Sequence, residues 1–151
     1  IGDLRFGDFD GDGRTDVFSL ANGQWSVSDG AATRWRRLNA RLSSNLGELA
    51  FADFDADGMT DIARSHDGRW QISSGGATPW RTLARERSAS LSRGMVFGDF
   101  DGVLGDDALQ HGEPEAKLKR CGISPLRSFD RWKLSSGGVG PLDQWSVADM
   151  R

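Results

Sequence analysis

The sequence has almost no cysteine, no tyrosine and no long hydrophobic run. Cys121 is its only cysteine, so no disulfide can form within the chain, although a bound metal can take over that stabilising role in an extracellular domain. No stretch reaches the apolar length that crossing a bilayer requires, so we expect no membrane insertion. The formal net charge is only -3, and the arginines form no extended basic stripe, which argues against a nucleic-acid partner.

Glycine and the large aromatic residues phenylalanine and tryptophan are abundant in the chain. Among the 151 residues there are 20 glycines, 8 phenylalanines and 6 tryptophans. Many glycines combined with aromatic residues favour short strands joined by tight turns over helices. The composition therefore predicts an all-β fold.

One aspartate-rich segment occurs three times in the chain. It reads LRFGDFDGDGRTDVF at Leu4–Phe18, LAFADFDADGMTDIA at Leu49–Ala63 and GMVFGDFDGVLGDDA at Gly94–Ala108. Its first aspartates, Asp8, Asp53 and Asp99, follow one another at intervals of 45 and 46 residues. A second segment follows each copy, at Gly23–Leu38, Gly68–Leu83 and Asp130–Trp145. A period near 45 residues with strand-sized pieces is typical of the four-stranded blades of a β-propeller.

The repeat predicts about three four-stranded antiparallel blades of an incomplete ring. We assign residues 1–48 to blade 1, 49–93 to blade 2, 94–146 to an irregular blade 3 with a long insertion at 109–129, and 147–151 to the start of a truncated fourth blade. Three blades leave broad apolar faces uncovered. We therefore expect a homo-oligomer that completes a propeller, or a fragment of a longer chain.

The aspartates alternate within the first two copies in the pattern D-x-D-x-D-G-x-x-D. Such a loop turns several oxygens towards one centre, and calcium takes about six to eight oxygens from carboxylates, carbonyl groups and water. The predicted ligands are Asp8, Asp10, Asp12, the Arg14 carbonyl and Asp16 in the first loop, and Asp53, Asp55, Asp57, the Met59 carbonyl and Asp61 in the second. The third loop keeps Asp99, Asp101 and Asp107, but it has Val103 and Leu104 where the others have an aspartate and a glycine. The sequence thus predicts two complete calcium sites and leaves the third open.

Magnesium, zinc and the helical calcium loops fit this aspartate pattern less well. Magnesium suits a crowded cage of protein ligands poorly, and zinc would require histidine or cysteine. An EF-hand needs a glutamate at the twelfth loop position, where this chain has Ser19 or Arg64, and both EF-hand and dockerin loops lead into a helix. An Asp/Gly turn held by side-chain-to-backbone hydrogen bonds, without an ion, remains open as an alternative.

Phe6-Gly7 followed by Asp8–Asp16, and Phe97-Gly98 followed by Asp99, resemble the FG-GAP (VCBS) repeat family, which includes the β-propeller of integrin α-subunits. The resemblance implies that calcium lies between the first and second strands of a blade, on one rim of the propeller. It also implies a secreted, extracellular protein that binds a glycan or a protein, with calcium in a structural role. The alternative is an accessory or substrate-binding domain of a secreted hydrolase.

Tryptophans recur at two positions of the repeat. One set is Trp25, Trp70 and Trp132, and the other is Trp35, Trp80 and Trp145. We predict that the first set packs between blades, since a large ring there fills the same space in each repeat. The second set lies beside polar turn residues and is left open between packing and stacking on a sugar, so it supplies the candidate ligand-binding residues. His66 and His111 have no repeated partner and no Gly-x-Ser-x-Gly motif occurs, so we do not expect an enzyme.

Overall fold

A computed structural model describes residues 4–40, 45–84, 95–99, 105–111, 132–135 and 146–148. Within these ranges twelve β-strands form three four-stranded antiparallel sheets, and no α-helix occurs. Neighbouring strands in each sheet are consecutive in sequence, so each sheet is one meander. This confirms the predicted all-β fold of propeller blades that do not close into a ring.

The strand bounds repeat from blade to blade. Blade 1 consists of β1 (Leu4–Gly7), β2 (Asp16–Ala21), β3 (Gln24–Ser28) and β4 (Arg36–Ala40). Blade 2 consists of β5 (Leu49–Ala52), β6 (Asp61–His66), β7 (Arg69–Ser73) and β8 (Arg81–Ala84). Blade 3 consists of β9 (Met95–Gly98), β10 (Asp107–His111), β11 (Trp132–Ser135) and β12 (Ser146–Ala148). Short 3-10 turns occupy Asp29–Ala31, Leu46–Glu48 and Ser74–Gly76. No helix in the described ranges is long and apolar enough to span a membrane.

Two-residue turns set the register of the central hairpins. Asn22 and Gly23 have φ values of 52° and 73°, and Asp67 and Gly68 have φ values of 50° and 69°. Two successive positive φ values define the type I′ turn, whose twist matches that of antiparallel strands, and Asn-Gly and Asp-Gly are the residue pairs it prefers. The central hairpin of both blades thus follows directly from local sequence.

The main core lies between blades 1 and 2. Phe9, Phe18, Trp25 and Val27 of blade 1 are buried together with Ile62 of blade 2. Trp25 has no exposed surface. Because rings of this size dominate the energetics of a small core, the interface between the blades carries much of the stability of the fold.

A second core joins blades 2 and 3. Phe54, Trp70 and Ile72 of blade 2 are buried there, and Met95 and Phe97 of blade 3 pack against them. The predicted packing role is therefore confirmed for Trp25 and Trp70. Trp132, the third member of that set, begins β11, and its side chain lies outside the described part of the molecule.

The end of the chain differs from the sequence prediction. Val147 and Ala148, predicted to begin a fourth blade, lie in β12, which pairs with β11 as the fourth strand of blade 3. β11 would otherwise leave a row of backbone hydrogen-bonding groups unpaired at the sheet edge, which strand addition satisfies. A signal for this was present, since Trp35, Trp80 and Trp145 each immediately precede the fourth strand of their blade.

The predicted insertion at 109–129 lies mostly outside the described residues. Its first residues, Leu109 to His111, continue β10 and pair with β11. The role of the remaining insertion stays a prediction.

Gly76 is required by the packing of blade 1 against blade 2. It has a φ of 66°, and a Cβ atom there would lie 2.9 Å from both Ile62 Cδ1 and Leu38 Cδ1. In blade 1 the same turn position holds Ala31, also at positive φ (58°) but exposed. The tight space at Gly76 therefore comes both from Ile62 of its own blade and from Leu38 of the neighbouring blade.

We expect Gly76→Ala to lower the free energy of unfolding by about 2–4 kcal/mol, because it adds overpacking to left-handed backbone strain. Gly30→Ala is the matched control: its φ is 56° and no atom lies within 4 Å of the added Cβ, so it should cost only about 1–2 kcal/mol. Urea denaturation measures both values. Equal costs for the two substitutions would show that Gly76 is not packed as described.

Candidate metal centres

The two complete aspartate loops connect the first and second strands of their blades. In the first loop, Asp8, Asp10 and Asp16 each place a carboxylate oxygen within 4.8 Å of the others. In the second loop, Asp53, Asp55 and Asp57 do the same. The structure thus brings three predicted ligands together in each loop.

Left-handed residues shape both loops. Gly11 and Gly13 have φ values of 78° and 80°, and Ala56 and Gly58 have φ values of 61° and 83° at the equivalent positions. Glycine adopts this conformation without steric cost, whereas alanine pays for it. The alternation of left-handed and ordinary residues curls the loop around the carboxylate of its first aspartate.

Asp8 organises the first loop through its side chain. Its Oδ1 accepts hydrogen bonds from the N–H groups of Asp10 (3.3 Å), Gly11 (2.7 Å) and Asp12 (3.2 Å), and its Oδ2 accepts one from Gly13 (2.8 Å). Partial burial alone would raise the pKa of Asp8, but these donors outweigh it and lower the pKa below its ordinary value. The carboxylate therefore stays ionised and available to a cation.

Asp53 plays the same part in the second loop. Its oxygens accept hydrogen bonds from Asp57 N–H (3.2 Å) and Gly58 N–H (3.0 Å). Such bonds are those of the ion-free turn that the sequence left open as an alternative. They hold the loop in shape, and they leave further carboxylate lone pairs for a metal.

The last aspartate of the first loop is fully buried and ties two parts of blade 1 together. Asp16 Oδ2 accepts a hydrogen bond from Phe9 N–H (2.9 Å), and Asp16 Oδ1 accepts one from Gly30 N–H (2.7 Å). The first bond closes the loop, and the second fixes the 3-10 turn at Asp29–Ala31.

Asp61 repeats this arrangement in blade 2. It is fully buried and accepts hydrogen bonds from Phe54 N–H and Gly75 N–H, both at 3.0 Å. Burial raises the pKa of Asp61 to about 6, and the charges of Asp55 and Asp57 add to this, although the two N–H donors oppose it. A cation near the loop would counter the unfavourable charge.

Two predicted carboxylate ligands lie outside the clusters. Asp12 is exposed, and its Oδ1 accepts a hydrogen bond from Arg14 N–H (2.8 Å), while Asp61 points to the backbone groups described above. The carbonyl groups of Arg14 and Met59 remain predicted ligands.

Two further side chains, which the sequence pattern did not indicate, are in contact with the second cluster. Ser74 Oγ donates a hydrogen bond to Asp57 Oδ2 (3.0 Å), and Arg81 Nη2 forms an ion pair with Asp55 Oδ2. Both lie outside the aspartate segment, in the 3-10 turn and β8, so no local motif links them to the loop.

The other carboxylate oxygen of Asp55 indicates that the second cluster could bind a ligand. Asp55 Oδ1 is buried and has no hydrogen-bond partner among the described residues. A buried carboxylate oxygen without a donor is costly, and a hard divalent cation that prefers oxygen would satisfy it. The donor set of the second loop therefore fits calcium.

The third loop lies largely outside the described residues. Asp99 is exposed at the end of β9, Asp107 begins β10 without a described side chain, and Asp101 falls in an undescribed range. A third site thus stays a prediction.

The candidate ligand-binding tryptophans have different surroundings. Trp35 is 54% exposed. Trp80 meets Trp25 edge-on, with ring centroids 5.6 Å apart, and the guanidinium of Arg64 lies 4.4 Å from the centroid of its ring. Trp145 lies outside the described residues. The structure thus leaves Trp35 open for stacking on a ligand and gives Trp80 neighbours of its own.

Substitutions of Asp16 and Asp12 should differ in their effect on stability. In the presence of a chelator, we expect Asp16→Ala to lower the free energy of unfolding by about 2–4 kcal/mol, since two N–H groups lose their acceptor. Asp12→Ala, at an exposed position, should cost less than about 1 kcal/mol. Urea denaturation in chelator measures both, and a cost for Asp16→Ala no larger than for Asp12→Ala would contradict the assigned role.

Comparison with known proteins adds a family to this geometry. Residues 8–64 match the family model of the FG-GAP-like repeat. No curated protein and no solved structure matches the chain significantly. The matched span begins at the first aspartate of the first loop and contains the whole of the second, so it covers both carboxylate clusters. This match supports the resemblance inferred from the aspartate motifs: residues 8–64 are similar to the FG-GAP-like repeat.

Proposed function

We propose that this protein is a calcium-binding β-propeller repeat module of an extracellular protein, in which calcium stabilises the blades and an exposed surface binds a glycan or a protein. The propeller repeat itself rests on the three sheets and the family match. The observation that supports calcium is the presence of three carboxylates within 4.8 Å in each of two equivalent loops. FG-GAP-like repeats are typically extracellular, which supports the proposed location.

Charge repulsion within the loops favours an ion. Loss of hydration and the nearby charges of Asp12 and Asp16 raise the pKa of Asp10, although a hydrogen bond from Asp12 N–H opposes the shift. A divalent cation would convert this repulsion into attraction for the whole cluster. When bound, calcium would thus supply charge neutralisation and a fixed loop geometry.

The expected energetic effect is modest for each site. Calcium sites of extracellular modules bind at roughly 0.1–1 mM. At about 1–2 mM calcium, each site would add on the order of 0.4–2 kcal/mol to the free energy of unfolding. Two sites are enough to matter for a small protein whose total stability is typically about 5–15 kcal/mol.

Calorimetric titration tests the metal sites. We expect at least two calcium equivalents to bind and the melting temperature to rise with calcium. Asp10→Asn and Asp55→Asn should each remove one equivalent, because each changes one carboxylate cluster and leaves the buried Asp16 and Asp61 intact. Asp67→Asn is the matched control: Asp67 lies in a hairpin turn outside both clusters, and blade 1 carries Asn22 at the same place.

Two outcomes would contradict the metal proposal. One is an absence of calcium uptake together with a melting temperature that a chelator leaves unchanged. The other is loss of an equivalent in Asp67→Asn as well, which would show that uptake depends on general negative charge.

Trp35 is the residue best placed to bind a ligand. Its indole is largely exposed, and Arg36 beside it forms an ion pair with Asp29 (2.8 Å) that orders the adjacent turn. An exposed indole on an ordered edge can stack on the apolar face of a sugar ring. In the alternative function, an accessory domain of a secreted hydrolase, the same surface would hold a polysaccharide. Both functions assign the described residues a binding role and no catalytic role.

An oligosaccharide array tests this surface. We expect Trp35→Ala to weaken glycan binding about tenfold or more without changing the melting temperature, because the side chain is exposed. Trp80→Ala should instead lower the free energy of unfolding by about 2–4 kcal/mol, since it removes the contacts with Trp25 and Arg64. Trp35→Phe, which keeps a flat ring, is the control and should retain most binding. Unchanged glycan binding in Trp35→Ala would exclude this residue as the ligand site.

A further inference from the structure

An arginine begins the fourth strand of both blade 1 and blade 2, but its partner differs between them. Arg36 begins β4, and Arg81 begins β8 at the equivalent position of the repeat. Arg36 Nε forms an ion pair with Asp29 Oδ1 (2.8 Å), whereas Arg81 Nη2 forms an ion pair with Asp55 Oδ2. Asp55 belongs to the second carboxylate cluster, and Asp29 is not a member of the first. Of these two arginines, only Arg81 contacts a predicted calcium ligand.

One residue of the 3-10 turn accounts for this difference. Asp29 and Ser74 hold the same place in the two turns, and their backbones are fixed alike. Asp29 N–H donates a hydrogen bond to Thr33 Oγ1 (2.9 Å), and Ser74 N–H donates one to Thr78 Oγ1 (2.8 Å). A carboxylate neutralises a guanidinium, whereas a serine hydroxyl carries no charge to do so. With serine in the turn, the arginine of blade 2 pairs with the aspartate loop.

The guanidinium satisfies only one carboxylate oxygen of Asp55. Asp55 Oδ2 accepts from Arg81, while Asp55 Oδ1 is buried and has no hydrogen-bond partner among the described residues. A calcium ion in the cluster would be attracted by the same carboxylate, and at such short range it would be repelled by the guanidinium. Arg81 therefore reduces the negative charge that the second cluster offers to a metal.

The first cluster has no arginine or lysine of this kind. Across the described ranges, no basic side chain forms an ion pair with Asp8, Asp10 or Asp16. These carboxylates accept hydrogen bonds from backbone N–H groups. The two loops thus share a fold but differ in where the nearby positive charge is held.

We propose that Arg81 is the internal counter-ion of the second loop: it neutralises Asp55 in the calcium-free protein and has to leave Asp55 Oδ2 when calcium binds. This inference rests on the proposed calcium binding and adds a residue that sets the affinity of one site. Arg36, which Asp29 holds away from the first cluster, does not act in this way. The loop of blade 2 therefore stays neutralised when calcium is scarce, at the cost of a weaker metal site.

Calorimetric titration of a chain that carries Asp10→Asn tests the proposal, and the binding step that Asp55→Asn removes identifies the second site. In this background, we expect Arg81→Gln to lower the Kd for calcium about tenfold, because it removes the charge and keeps a polar side chain. Arg69→Gln is the matched control. Arg69 is exposed at the start of β7, at the end of the blade opposite the loop. The same change in net charge there should alter the Kd by less than about twofold.

Thermal melting separates a counter-ion from a purely structural ion pair. In chelator, Arg81→Gln should melt below the wild type, because Asp55 Oδ2 loses its partner. Calcium should then raise the melting temperature of Arg81→Gln by more than it raises that of the wild type. A purely structural arginine would lower the melting temperature equally with and without calcium, and that result would contradict the proposal.

Blade 1 offers the reciprocal test, in a chain that carries Asp55→Asn. Asp29→Ser gives the first turn the residue that blade 2 has, so Arg36 should pair with Asp10 and weaken the first site about tenfold. Arg36→Gln should tighten that site about tenfold when Asp29→Ser is present, but less than about threefold when Asp29 is intact. Equal effects of Arg36→Gln in the two backgrounds would show that total charge, and not contact with the loop, sets the affinity.

Three titration results would also overturn the proposal. One is a Kd for the second site that Arg81→Gln leaves unchanged or raises, which would give Arg81 a supporting role at the site. Another is equal tightening by Arg69→Gln. In both cases calcium still binds, so the proposed function survives. The third is an absence of calcium binding in every variant, which would remove the proposed function as well.

Discussion

In each loop, the hydrogen bonds of one buried carboxylate hold the loop onto its blade. Asp16 and Asp61 use both oxygens to accept backbone N–H groups, one at the start of their own loop and one in the 3-10 turn of the same blade. Because Asp16 and Asp61 are fully buried, losing one of these hydrogen bonds would cost more than losing one at the surface. The loop, the second strand and the turn therefore form one unit. The positions of the other aspartates in the loop depend on this unit.

The candidate metal centre and the interface between blades share residues. The side chain of Asp8 collects the N–H groups of its own loop, while the backbone of Asp8 binds Thr60 of the next blade. Asp53 relates to Asp106 in the same way. An ion held by either loop would thus act at the junction of two blades. A cation bound there would therefore stabilise the contact between the two blades.

Periodic and local signals allowed much of the fold to be predicted. The 45-residue spacing located the blades, and Asn22-Gly23 and Asp67-Gly68 located the hairpin turns, because a type I′ turn depends almost entirely on the two residues that form it. The assignment of Val147 and Ala148 to a fourth blade was wrong for the opposite reason. A strand belongs to the sheet whose edge it completes, and the open edge of β11 decided that. Local likeness to Phe51-Ala52 could not reveal it.

The sequence by itself determined the repeat, the strand order within a blade and which acids could meet, since all of these depend on spacing along the chain. Only the tertiary structure decided that Asp16 and Asp61 bind backbone groups and that Ser74 and Arg81 reach the second cluster. It also decided that Thr60 and Asp106 form hydrogen bonds to the preceding blade. Most of these partners come from another part of the same blade or from the next blade. Their distances are set by how the sheets pack, and no local pattern in the chain encodes that.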